Sequence, residues 1–428
     1  MATAPQSPAA AVSPEMMSMR AVLRVPVMRR LWSAQVVSVF GDFLALFAVI
    51  GVLTFQLHGT AQQVTGLQIA YLLPIAILGI LAGVFVDRWP LKPTLVASDL
   101  IRACLCLLLL VSTRMWHFYA VLAAISMVSS FFGPAQGVAI RAAVPLHGLR
   151  SANALMQQVM FLMRIAGPAI AGLLVASFGA RSCYLADAAS FAASACLIAS
   201  VALVRPETAV AHAAESVVQE EIKGLERVWS DMRQGIRFIV HHAGLLFVIL
   251  ALASAMFVMG CFGPLIAVYV RDTLHASTRV FGAASAMIGF GILIGMNILN
   301  VLGKNIRNAT LVYSGLGGMA VGLALLTALA AVWSTLLGGF VIGFAVAAII
   351  IPSQTMIQQE TPPALMGRVG STVMSLVFSA QIGGLLLSGV LAGRIGVHYV
   401  FAVCAVLLVL LIAAGRLWME PEEAVAAT

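Results

Sequence analysis

Five ionisable residues fall inside long apolar runs of this sequence: Asp42, Asp99, Arg102, Arg164 and Asp187. A charged side chain at the centre of a bilayer costs about 3 kcal/mol or more unless it is paired or reaches water, so residues retained there carry a functional expectation. Asp42 and Arg164 each lie about eleven residues inside a run that starts next to basic residues. At a rise of about 1.5 Å per residue both reach a depth of about 16 Å, close to the midplane, and a pair between them is expected. Burial and a neighbouring guanidinium act in opposite directions on a carboxyl's hold on its proton, which suits a group that exchanges one. The alternative is a static pair that fixes helix packing. Asp99 and Arg102, three residues apart, share a helix face just after Asp87 and Arg88. A carboxylate at that level can accept hydrogen bonds from a helix start in a neighbouring bundle, and Asp87, Asp99 and Arg102 are expected to latch one side of the molecule. Asp187 lies about one turn inside its run, near Arg181, and reads as an interfacial pair.

The elements that must position these residues are membrane helices. Of 428 residues 61% are hydrophobic, and 24 basic plus 16 acidic residues make up only 9%. Soluble domains carry about 25% charged residues, so the composition and the mean hydropathy of +1.04 exclude a soluble protein. Twelve apolar runs are long enough to span: about 31–55, 66–86, 94–113, 118–140, 153–178, 183–204, 244–268, 281–302, 309–331, 335–357, 369–392 and 398–416. The expected fold is all-α, with twelve transmembrane helices in two six-helix bundles. Residues 1–30 form an N-terminal tail, 31–204 the first bundle, 205–243 a linker, 244–416 the second bundle and 417–428 a C-terminal tail. In the linker, Val218, Ile222, Leu225, Trp229, Met232, Ile236 and Ile239 step by three and four, which predicts an amphipathic helix on the membrane face.

Loop charge orients the chain. With the N-terminus inside, 17 of the 24 basic residues fall on the cytosolic side and five on the other, with Arg102 and Arg164 inside spans. The positive-inside rule then puts both termini in the cytosol. The net charge of +8 is spread between apolar runs and makes no nucleic-acid surface. The six cysteines show no CxxC, and no histidine stands near them at metal-ligand spacing; they read as small apolar packing residues, with no metal and no cofactor expected. The two halves also repeat. Pro134, Gln136, Pro145 and Arg150 recur 218 residues later as Pro352, Gln354, Pro363 and Arg368. Such repetition of six-span halves marks secondary transporters whose substrate site lies between two rocking bundles.

Several motifs resemble one family. Residues 83–92, GVFVDRWPLK, resemble the loop motif G-x-x-x-D-R-x-G-R-[KR] of the major facilitator superfamily: Gly83, Asp87, Arg88 and Lys92 match, while Pro90 and Leu91 depart from it. Residues 164–172, RIAGPAIAG, resemble its G-P-x-x-G antiporter motif, with Gly167, Pro168 and Gly172 in place. Together with FGD at 40–42, SDLIR at 98–102 and FFGPAQ at 131–136, they resemble the drug-exporter branch that includes macrolide efflux proteins and the enterobactin exporter. The resemblance implies the major facilitator fold, with pseudo-symmetric bundles; the matched Gly83, Asp87, Arg88 and Lys92, with Asp99 and Arg102, are expected to form a cytosolic gate that latches the outward-facing state.

The expected function is a proton-coupled antiporter that exports a hydrophobic or amphiphilic small molecule by alternating access. It would sit in a bacterial inner membrane as a monomer, with the proton gradient as its energy source. A lysophospholipid or siderophore transporter is the alternative within the fold, and a non-transporting scaffold the alternative outside it. An enzyme is not expected, because no span groups nucleophile, base or metal ligands. In the second half Met256, Met259, Asn297, Gln354, Gln358 and Gln381 are the candidate cavity residues, since flexible thioethers with a few amides suit a variable amphiphilic ligand.

Overall fold

A computed structural model describes residues 17–203, 233–234, 236–302, 306–362 and 365–426, without the side chains of some helical positions. No strand occurs among the described residues. A bilayer leaves backbone polar groups no partner but each other, and a chain this apolar satisfies them within helices. Twelve long helices result among the described residues: α1 Pro26–Gly51, α2 Ala61–Arg88, α3 Leu91–Leu108, α4 Met115–Ala143, α5 Leu149–Phe178, α6 Ala180–Ala199, α7 Ala243–Asp272, α8 Thr278–Leu302, α9 Asn308–Leu329, α10 Val332–Glu360, α11 Met366–Ile395 and α12 Val397–Ala426. Among the described residues ten of them are long and apolar enough to cross a membrane, and α2 and α5, 28 and 30 residues long, complete the set.

Short connections fix antiparallel neighbours. Only Trp89 and Pro90 separate α2 from α3, and Trp89 stacks on Phe131 of α4 at 5.5 Å between ring centroids. Pro90, at φ −65°, holds the first cap of α3, so proline takes this two-residue turn without strain. A capping box opens α2, with Thr60 N donating to Gln63 Oε1 at 2.8 Å and Gln63 N to Thr60 Oγ1 at 3.3 Å. Single glycines join α5 to α6 and α11 to α12: Gly179 has φ +78° and Gly396 φ +86°, a left-handed backbone that a side chain disfavours. They occupy equivalent places in the two halves.

The halves pack alike. In the first, α1 lies on α5 and α6, α2 on α4, and α3 on α4 and α6; in the second, α7 lies on α11 and α12, α8 on α10, and α9 on α10 and α12. Between halves α2 meets α11 and α5 meets α8. The end of the bundle that carries both chain termini is called the terminal face here, and the opposite end the far face.

Two expected boundaries move. Helix starts well before residue 31: Met19–Arg24 forms a short helix capped by Ser18, and α1 begins at Pro26, where a missing N–H costs nothing. Ser151 Oγ donates to Met17 O at 2.6 Å, and Val22 and Met28 are fully buried. Arg29 and Arg30 end the apolar run, but a helix continues past the membrane boundary as long as its inner face is covered. At the other end α12 continues to Ala426, beyond residue 416. The amphipathic stripe at Val218–Met232 lies outside the described residues.

Candidate functional site

The ionisable residues of the first half converge where α1, α3 and α6 meet. On α3, Asp99, Arg102 and Cys106 follow one another at spacings of three and four; on α6, Asp187, Phe191 and Ser194 do the same. Each set lines one helix face. Because α3 and α6 run antiparallel, the two faces pair as three rungs. Ser194 Oγ donates to Asp99 Oδ2 at 2.6 Å, Arg102 lies with its guanidinium carbon 4.3 Å from the Phe191 ring centre, and Cys106 Sγ donates to Asp187 Oδ2 at 2.9 Å. Arg102 also pairs with Asp99 on its own helix and lies 4.3 Å from the Phe132 ring centre of α4, so two aromatic faces sandwich it. Asp99, Arg102 and Asp187 are 0, 4 and 2% exposed, so the network is buried within the protein.

Asp187 is therefore corrected from its expected pairing with Arg181. Six residues along a helix turn a side chain through about 240°, so the two point apart, and Arg181 is exposed at the helix start. The Asp187 carboxylate instead receives Cys106 and, at 3.3 Å, Ser190 Oγ. It lies hard against Gly41 of α1, where a Cβ would collide with its Oδ1 and with Ser190 Oγ. Cys106, expected as an apolar packing residue, is a hydrogen-bond donor to a buried carboxyl group. The repeated three-and-four spacing on both helices was the available signal for this network.

Asp42 follows Gly41 and interacts electrostatically with Arg102, Asp99 and Asp187. The expected partner Arg164 has a backbone position in α5, where Gly167, one turn on, approaches Phe43 so closely that a Cβ would lie 2.6 Å from the Phe43 Cβ. That crossing puts the Arg164 backbone at nearly the level of Asp42. The side chains of Arg164, Pro168 and Gly172, and of Gly83, Asp87 and Arg88, lie outside the described residues; Lys92 is half-buried at the start of α3. All described polar and aromatic partners of Asp99 and Arg102 belong to the first half, so in this conformation neither one bridges to the second.

On its other side α1 walls a cavity between the halves. Phe43, Leu46, Phe47 and Ile50, one helical stripe, face a space of about 350 Å³ closed by α2, α7, α8, α10 and α11. Among the described residues no charged side chain lines it; Gln68, Ser285 and Gln381 supply the polar side chains, and Met256 and Met259 flexible apolar ones. Of the six expected cavity residues, Met256, Met259 and Gln381 line it, whereas Asn297, Gln354 and Gln358 do not. Asn297 is exposed and donates to Leu293 O of its own helix at 2.8 Å.

Toward the far face the halves are shut over this cavity. Phe47 of α1 stacks on Phe281 of α8 at 4.3 Å, and Gly389 and Gly393 of α11 take the side chains of Thr65 and Gln62 of α2. Arg271, at the end of α7, donates through Nη1 to Thr54 O at 2.6 Å and Gly59 O at 2.7 Å, both in the connection after α1. Sequence reasoning missed this residue because its acceptors are backbone carbonyls. The glycines of α8 and α11 divide between two tasks: Gly291 and Gly295 of α8 fit against α10, and Gly384 of α11 against α7, all inside the second half, whereas Gly389 and Gly393 meet α2 of the first.

Residues 31–379, and again 248–428, match the model of the Major Facilitator Superfamily. The chain belongs to that family. It is a multi-pass membrane transporter and not an enzyme. This transporter is 27% identical over 388 residues to the uncharacterized MFS-type transporter YfiS of Bacillus subtilis, covering 89% of this chain and 90% of that one. It is 24% identical to macrolide efflux protein A of Streptococcus pyogenes, over 89% of this chain and 92% of the other. Among solved structures it resembles a bacterial homologue of the iron transporter ferroportin in an inward-facing state, with TM-score 0.64 at 15% identity, covering 92% and 99% of the two chains. That likeness extends to the fold.

Proposed function

We propose that this transporter is a proton-coupled antiporter that exports an uncharged or amphiphilic small molecule by alternating access. The observation that carries the reading is the position of α1: Phe43, Leu46, Phe47 and Ile50 face the cavity, while Gly41 and Asp42 face the carboxyl network behind it. A ligand that shifts α1 alters the surroundings of the carboxyls, and a change in their charge alters the cavity wall. Linkage makes such coupling reciprocal. Asp42 is the group we assign to proton exchange, with Arg164 its modulator at the same level. The likeness to macrolide efflux protein A supports export, and the uncharged, aromatic and methionine-rich lining suits a large apolar ligand better than a siderophore, whose chelating groups need polar partners. The terminal face is assigned to the cytosol of a bacterial inner membrane, in keeping with the basic residues there.

The test is transport in proteoliposomes with an imposed pH gradient, against a panel of macrolides, dyes, lysophospholipids and siderophores. The wild-type chain accumulates a member of the first two classes with matching proton flux, and Asp42→Asn abolishes the gradient-driven component. Proton-driven efflux that survives Asp42→Asn would remove Asp42 from the mechanism; absence of flux for every compound would favour a scaffold.

A further inference from the structure

The buried carboxyls outnumber the cations available to them. Among the described side chains within α1 to α6, two carboxyls are fully buried, Asp99 and Asp187, against one buried guanidinium, Arg102, while Asp42 is partly exposed. A low-dielectric interior does not hold a surplus charge, so one of the two buried carboxyls is neutral. Geometry says which. Asp99 is paired with Arg102 and accepts from Ser194, and Asp42 is partly exposed, so solvent can stabilise its charge. The donors within hydrogen-bond distance of Asp187 are a thiol, which donates weakly, and a Ser190 hydroxyl that also donates to the Asp187 backbone carbonyl at 2.8 Å. The third approach to its carboxylate is filled by the Gly41 backbone of α1.

We propose that Asp187 is the proton-carrying carboxyl of this conformation, and that its deprotonation is coupled to movement of α1 away from α6 at the Gly41 contact. The inference rests on the proton coupling proposed above and adds a second residue to it. The step is a simple dissociation: the Oδ–H bond breaks, the electron pair stays on the carboxylate and the proton passes to solvent. The carboxylate then needs stronger donors than a thiol and a shared hydroxyl, and the Gly41 backbone of α1 stands against its Oδ1, where one would approach. The titratable and charged groups facing Asp187 are Asp42 from α1, Tyr71 from α2, Cys106 and Arg102 from α3, and Cys183 on its own helix. From α5 the ionisable residue in this region is Arg164.

The experiment uses the full chain in lipid, with Asp187→Asn, Asp187→Glu and Asp42→Asn beside the wild type. Infrared spectra at neutral pH are expected to show the carbonyl stretch of a protonated carboxyl in wild type and Asp42→Asn, and its loss in Asp187→Asn. A wild type without the band, or a band that persists in Asp187→Asn, overturns the assignment. In transport, gradient-driven accumulation by Asp187→Asn falls about tenfold or more, while substrate counterflow without a gradient stays within about twofold and Asp187→Glu recovers part of the driven rate. Loss of counterflow and accumulation together would mean that Asp187 only supports the fold, and would also overturn the proposal. If the wild type moves substrate without proton flux, the antiport reading fails by itself, and the infrared band still decides where the proton sits.

Discussion

Arg102 shows how a single residue holds the first half together. Its guanidinium meets a carboxylate on its own helix and two ring faces on α4 and α6, so its removal leaves Asp99 buried with a hydroxyl as partner. Breaking one member of a buried pair costs about 3–5 kcal/mol, whereas replacing both with apolar groups of similar volume is often near neutral. Arg102→Met is therefore expected to lower the unfolding midpoint in detergent strongly, and the double variant Arg102→Met with Asp99→Leu to recover most of the loss. Equal losses in both would show that the pair carries no such penalty. The five charged positions were legible in the sequence, because a charge in an apolar run stands out. Their partners were not: Cys106, Ser190, Ser194 and Phe191 are ordinary residues of membrane helices, and only the antiparallel register of α3 on α6 gives them meaning. Asp187 was misplaced because the count of residues from the run's edge said interface while the neighbouring helices bury it.

At the scale of helices, the glycines of α8 and α11 have two different tasks that identical residue type conceals. Gly291 lies where a Cβ would strike the Phe340 backbone of α10, a contact within one half that persists through any rocking motion. Gly389 lies against Thr65 of α2, a contact between halves that exists only while the far face is shut. Gly291→Val is expected to destabilise the fold by about 1–3 kcal/mol, read as a lower unfolding midpoint. Gly389→Val instead leaves that midpoint nearly unchanged and holds the far face open, read as increased labelling of a Thr65→Cys reporter by an impermeant maleimide. A swap of these phenotypes would reverse the division of roles. Helix number and order follow from hydropathy alone, and the expected runs differ from the helices mainly at their ends, as at Pro26 and Ala426, where a helix outlasts the membrane that made it apolar. The single-residue turns at Gly179 and Gly396 repeat between halves although the residues around them do not, so backbone demand preserves what side chains have lost.

For the molecule as a whole, the far-face closure sets which conformation is populated. Two hydrogen bonds from Arg271 and the ring stack of Phe47 on Phe281 join halves that otherwise pack mostly within themselves. A charged donor to a neutral carbonyl contributes about 1.5–3 kcal/mol per bond, so losing Arg271 shifts a two-state balance by an order of magnitude or more. Arg271→Ala is expected to raise far-face labelling at Thr65→Cys about tenfold with little change in unfolding midpoint, and labelling equal to wild type would mean the closure does not depend on it. The acceptors of that guanidinium are main-chain oxygens of Thr54 and Gly59, which every amino acid possesses. The first half can thus diverge freely at its end of this clasp while only one side chain in the second half stays under constraint, and relatives with unlike α1–α2 connections are candidates for functional exchange of whole halves with this chain.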